Sequence, residues 1–126
     1  MVEKDYTIKD SGKRVEFETG AVRDIQTDKG RFDLLPLLAL VDLAKHYQKG
    51  CAKYGDRNWE KGIPISRFCD SAIRHLFQFM SGLEDENHLM ASIWNLVGAY
   101  ETLKRIDKGI LPEELNDLPY ILGDKK

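Results

Sequence analysis

Apolar residues fall in three long stretches whose spacing repeats about every 3.6 residues, the period that puts one face of an α-helix against a core. The clearest runs through Ile65, Phe68, Cys69, Ala72, Ile73, Leu76, Phe77 and Met80. With Ser66 as its cap and Gly82 as its stop, it predicts a helix from about Arg67 to Ser81. Upstream, LLPLLALVDLA is apolar nearly all the way round, then narrows to a stripe of Leu40, Leu43, Tyr47, Cys51 and Tyr54 with Asp42, His46, Lys49 and Lys53 on the other side. Asp33 as cap, Pro36 in the first turn and Gly55 as stop predict a helix from about Leu34 to Tyr54. A helix apolar on every side needs more than one covering surface, which in so short a chain points to a partner subunit. The third pattern places Leu89, Ile93, Leu96, Tyr100 and Leu103 on the buried side of a helix from about Glu86 to Asp107, opened by Glu84, Asp85 and Glu86 and closed by Lys108 and Gly109.

The remaining segments carry weaker signals. Residues 1–32 hold Gly12, Gly20 and Gly30 with alternating charge and little periodicity, and read as an irregular arm packing on the domain, with one short extended piece at Val15 to Phe17. PEELNDL, from Pro112, reads as a short fourth helix. No convincing strand pair stands out. The expectation is therefore all-α: a bundle of three long helices plus one short C-terminal helix over residues 33–126, one domain overall.

At 126 residues the chain suits a single core. Its 42% apolar and 32% charged residues place it among soluble globular proteins. No apolar run reaches the 18 or so residues of a membrane span, and no apolar stretch follows the charges at the N-terminus, so the expected location is cytoplasmic with no membrane partner. Nineteen basic against 21 acidic residues give a net charge of −2, which argues against a nucleic-acid partner and directs attention to local clusters. Cys51 and Cys69 both fall on apolar sides and are expected as free thiols acting as small hydrophobes.

Three local features bear on chemistry. The third helix carries a second face of His88, Ser92, Asn95, Ala99 and Thr102, beside Ala91 and Gly98. Small residues suit close helix packing, whereas His88 and Asn95 would serve a pocket wall by offering hydrogen bonds to a ligand; the sequence leaves both readings open. The acids Glu84, Asp85 and Glu86 are able either to hold Mg²⁺ together with substrate phosphates or simply to complement a helix dipole. Lys49, Lys53, Arg57, Asn58 and Trp59 gather at the end of the first helix and in the loop after it. They suit a triphosphate and a stacked base, or else a solvated cationic helix end. On the second helix Asp70 and Arg74 lie four apart, as a surface pair would. Asp70 and His75 border opposite sides of the apolar stripe, so one small ligand would not be expected to touch both directly.

As strings, FETGAVRDIQTDKGRFDLLP, HYQKGCAKYGDRNWEKGIPISRF, DSAIRHLFQFMSGLEDENHL and ASIWN resemble the dATP/dGTP diphosphohydrolase N-terminal family of phages and bacteria, over roughly Phe17 to Ile106. KYGDRNWEKG and SAIRHL, in this order and separation, are its most specific segments. The family is similar to the MazG-like all-α pyrophosphohydrolases, which bind Mg²⁺ on carboxylates of a helical bundle, often as dimers or tetramers. The resemblance implies a deoxypurine triphosphate (dGTP or dATP) cut to the monophosphate and pyrophosphate, by attack of a water activated by metal at the α-phosphorus.

Carried over by position, Lys53, Arg57, Asn58 and Trp59 occupy the KYGxRNW segment, and Asp70, Arg74 and His75 the DxxxRH segment. Asp85, Glu86 and His88 match the acidic and histidine positions before the third helix, and Asn95 its WN pair. The metal ligands do not follow from overlay on the family; chemistry and position instead give Asp70, Asp85 and Glu86 as the expected ligands of Mg²⁺ (or Mn²⁺), with Glu86 and Asp70 catalytic. Lys49, Lys53, Arg57 and Arg74 would meet phosphates, and Asn58, Trp59, His75, His88 and Asn95 the rest of the nucleotide. The chain departs from the MazG signature: EExxE followed by ExxD is absent, and Gln48 stands where many relatives place glutamate. A catalytically silent nucleotide-binding or regulatory subunit of the same fold is therefore the alternative. An HD-type phosphohydrolase is disfavoured, because none of His46, His75 or His88 is followed by aspartate.

Overall fold

The computed structural model describes residues 5–124. Its backbone divides into two compact units, residues 1–35 and 36–126, which are taken separately below.

The first unit contains a two-stranded antiparallel hairpin, β1 (Arg14–Glu16) and β2 (Val22–Asp24), with Val15 opposite Arg23. The sequence indicates an extended piece at β1 and misses β2, because three residues of mixed charge carry too little alternation to read. Asp24 pins the hairpin: its carboxylate accepts from the Ser11 backbone and hydroxyl and pairs with Lys29 at 3.2 Å. These contacts, the Ser11 hydroxyl first, hold its pKa far below the usual carboxylate range.

The second unit is built on α1 (Leu37–Tyr54), α2 (Ile65–Met80) and α3 (His88–Asp107). The chain is thus mostly helical, as expected, with four corrections of detail. The expected fourth helix is a single 3₁₀ turn at Glu113–Leu115. Helix α1 begins after Pro36 instead of at Leu34, since a residue before proline is driven out of the α region, and Leu35 accordingly sits at ψ 142°. Asp33 therefore caps nothing and pairs with Arg31 at 2.7 Å within a separate 3₁₀ turn at Phe32–Leu34. Ser66 does not cap α2 from outside: it lies in the first turn, where its backbone N–H donates to the Asp117 carboxylate at 2.9 Å. The C-terminal segment thus satisfies an orphan donor that the local sequence leaves open. Helix α3 starts two residues later than expected, with the Asn87 side chain accepting from the Met90 N–H at 3.0 Å.

The largest correction concerns which face of α3 is buried. The expected apolar stripe is largely outward, with Leu89, Leu96 and Tyr100 exposed, while His88, Ala91, Ser92, Asn95, Gly98, Ala99 and Thr102 are buried. Small residues let α2 approach closely. The Phe68 ring fills the space over Gly98, where an added Cβ would lie 2.5 Å from it. The polar members of this face lose little by burial, because Ser92 donates to the Ala72 carbonyl at 2.8 Å and Thr102 to that of Gly98 at 2.7 Å. Ile65, Phe68 and Ala99 form the core, with Ile63, Cys69, Trp94, Leu103 and Leu118 packed around it. The far half of the α2 stripe, Ile73, Leu76, Phe77 and Met80, remains exposed in the single chain, as do Leu37, Leu38 and Val41 of α1.

Candidate functional site

Two features meet along the seam between α1 and α3. The first is an open cavity of about 450 Å³ between the second half of α1, the loop after it and Trp94 of α3. Its walls are aromatic. Tyr47 stands 6.1 Å from Trp59 in an edge-on arrangement and 5.7 Å from Trp94, centroid to centroid. The loop that supplies Trp59 is held in shape by Arg57 in the left-handed region (φ 57°) and by a 3₁₀ turn at Asn58–Lys61. Arg105 of α3 lies over the Trp59 ring at 4.9 Å while its guanidinium pairs with Glu101 at 2.8 Å and Glu60 at 3.4 Å. One face of Trp59 is therefore braced by a cation. Burial pushes the Tyr47 phenol above its ordinary pKa. Cys51, also on the wall, donates its thiol to Asp56, which holds the thiol in its neutral form.

The second feature lies at the head of α3, where His75 of α2, Glu86 and His88 bring one donor atom each within 4.8 Å of one another. The Nδ1 atoms of His75 and His88 are 2.9 Å apart. The other ring nitrogen of His88, Nε2, is 2.7 Å from Asp85. His88 is almost wholly buried, whereas the Asp85 side chain is largely exposed. The His88 contact draws the Asp85 carboxyl below its usual pKa, and burial draws His75 below the usual imidazole value despite the opposing pull of Glu86.

His46 joins the two features. Its ring lies 5.9 Å from that of Trp94, tilted by 43°, and it is within electrostatic range of Glu86 and His75. Burial, then Lys49, lowers its pKa. The pattern had placed His46 on the side away from the Tyr47 stripe. The structure instead brings both rings within about 6 Å of Trp94, whose large ring spans the roughly 100° between neighbouring helix positions.

The expected site residues separate accordingly. Arg57, Asn58 and Trp59 line the cavity, and His75, Asp85, Glu86 and His88 share the cluster at the head of α3. Asp70 is exposed and outside that cluster. Five residues before His75, it lies about 7.5 Å back along α2 and about 140° around it. Arg74 is exposed and donates to Ser71 at 3.1 Å. Lys49 and Lys53 are exposed on α1 outside the cavity wall, with Lys53 over the Tyr54 ring at 5.0 Å. Asn95 is buried in the α2–α3 seam, its amide donating to the Ala91 carbonyl at 2.8 Å. The packing reading of that face thus holds for Ser92, Asn95, Ala99 and Thr102. Tyr47, Trp94, Arg105 and His46 were not singled out as site residues from the sequence. The signal available was an aromatic on each of α1 and α3 beside the motif residues, which is indistinguishable from core.

A model of the family described as dATP/dGTP diphosphohydrolase, N-terminal, matches residues 19–110. The chain belongs to that family. The match takes in β2, all three helices and every residue of the aromatic cavity and the cluster at α3. No curated protein and no solved structure matches the chain. Among the described residues, no helix is long and apolar enough to cross a membrane.

Proposed function

We propose that this family member is a nucleoside triphosphate diphosphohydrolase that converts a deoxypurine triphosphate, dGTP or dATP, to the monophosphate and pyrophosphate with a divalent ion, Mg²⁺ or Mn²⁺. One observation carries the reading: a base-sized aromatic cavity walled by Tyr47, Trp59 and Trp94 is joined through α3, which carries both Trp94 and His88, to an acidic, histidine-bearing cluster. From Trp94 to His88 is six residues, about 9 Å of helix rise, a span that a triphosphate can bridge.

In this reading the base stacks against Trp59 or Trp94, each such contact contributing on the order of 1–3 kcal/mol. Asn58 on the cavity wall offers the base amide donors and an acceptor. Exposed Arg57, now paired with half-buried Glu60 at 2.7 Å, exchanges that partner for phosphate oxygens, which it can grip through two N–H groups. The carboxylates available to an ion at the head of α3 are Glu86 and Asp85, enough for Mg²⁺ that also holds substrate phosphates. Such an ion, when bound, would neutralise charge developing on the phosphates and favour ionisation of water. Glu86 accepts the proton of the water whose oxygen bonds to the α-phosphorus, as the bond from that phosphorus to the bridging oxygen breaks and pyrophosphate departs. Asp85 is spoken for by His88 and serves position more than proton transfer.

Incubation of the full chain with dGTP, dATP, dCTP and dTTP, with and without Mg²⁺, tests this. Purine monophosphate plus pyrophosphate, formed only with the ion, is the expected result; diphosphate plus phosphate contradicts it. Quenching of tryptophan fluorescence by dGTP without any product would instead favour a silent binding subunit, which the absence of the EExxE signature would explain.

A further inference from the structure

We propose that His75, His88 and Glu86 form a binding site for a borderline first-row cation of the Zn²⁺ and Co²⁺ kind, with Asp85 as the outer carboxylate that orients His88. Three donor atoms of the right types already lie within 4.8 Å of one another, before any ion draws them together. Two imidazole nitrogens on a tetrahedral Zn²⁺ at about 2.05 Å would stand about 3.3 Å apart. The 2.9 Å between the two Nδ1 atoms therefore requires an opening of only a few tenths of an ångström.

The tautomer of His88 supports the same site. With Nε2–H donating to Asp85 at 2.7 Å, a neutral His88 must present a lone pair at Nδ1, the atom directed at His75. A carboxylate holding the far nitrogen of a ligating imidazole is the usual outer partner of such sites. Burial of His88 fixes its ring, while exposure of Glu86 and Asp85 leaves a way in for the ion. The positive end of the α3 dipole opposes a cation here, and the carboxylates at 84, 85 and 86 offset that opposition.

Donor chemistry selects the ion. Mg²⁺ favours oxygen and dehydrates reluctantly, whereas imidazole suits Zn²⁺, Co²⁺ and Ni²⁺. Three protein donors leave a tetrahedral ion one position for an oxygen ligand, water or a phosphate. The site does not depend on the hydrolase reading: a chain that holds Zn²⁺ and cuts no nucleotide keeps it, and one that cuts dGTP with Mg²⁺ yet retains no Zn²⁺ loses it.

The test is Co²⁺ titration of the EDTA-treated full chain followed by visible absorption, with Zn²⁺ retained after gel filtration counted by elemental mass spectrometry. One ion per chain is expected, with nitrogen-ligated Co²⁺ bands that excess Mg²⁺ does not remove. Half-buried His75→Ala and exposed Glu86→Gln should each weaken binding at least tenfold with the helical circular dichroism unchanged. Asp85→Asn should keep the stoichiometry while weakening binding about 10–100-fold. A wild-type chain that retains no Zn²⁺, or folded His75→Ala and Glu86→Gln variants that bind as tightly as wild type, would overturn the site.

Discussion

At the level of single residues, the site divides between motif positions that local chemistry identifies and partners that only folding supplies. Trp59, Arg57 and Asn58 were legible through the KYGxRNW segment of the family, because their chemistry alone suits a solvated cationic helix end equally well. Tyr47 and Trp94 were not, since an aromatic at helical spacing is equally a core residue; here both are partly buried on a cavity wall, and Trp94 also packs beside Phe68. Asp70 shows the opposite case: its type and motif position recommended it, and its direction around α2 separates it from the acids of α3. Two substitutions test this division. Trp59→Leu removes a stacking face and should raise KM for dGTP about 5–100-fold with a smaller change in kcat, read from steady-state kinetics. Glu86→Gln should lower kcat at least 100-fold while the thermal unfolding midpoint stays within a few degrees; near-normal turnover would remove Glu86 from the chemistry.

At the level of elements, the helices were readable and their orientation was not. Periodicity located all three to within a few residues, and the ends at Gly55, Gly82 and Gly109 followed from positive φ angles that glycine adopts without strain. Helix α3 was turned the wrong way by its own hydropathy: Leu89, Leu96 and Tyr100 outnumber the small face in apolar area, yet close approach over Gly98 decides the packing against α2. The cap of α2 by Asp117 lies 51 residues away in sequence and leaves no local trace. Gly98→Ala gives a direct test. Helix propensity alone favours alanine by about 1 kcal/mol. The Cβ clash with Phe68 acts against it, and overpacking costs about 1–3 kcal/mol. We expect net destabilisation of up to about 2 kcal/mol in urea denaturation; a stabilised variant would mean that α2 and α3 are not in close contact there.

At the level of the whole molecule, the core is small and apolar faces of α1 and α2 are bare in the single chain; we propose a second copy of this chain as their cover, the expectation raised by the all-round apolar start of α1. Leu37, Leu38 and Val41, with Ile73, Phe77 and Met80, are too many large exposed apolar side chains for a lone domain of this size. Light scattering should give two or four times the single-chain mass, and Leu38→Asp combined with Phe77→Asp should lower it; a wild-type monomer at micromolar concentration would leave these faces unexplained. Above assembly stands the claim that a nucleotide lies with its base in the aromatic cavity and its α-phosphate at the acids of α3. Hydrolysis of dGTP in ¹⁸O-labelled water, followed by mass spectrometry of both products, tests it most directly. Attack at the α-phosphorus predicts the label in dGMP and none in pyrophosphate; label in pyrophosphate, or release of dGDP and phosphate, would contradict the account.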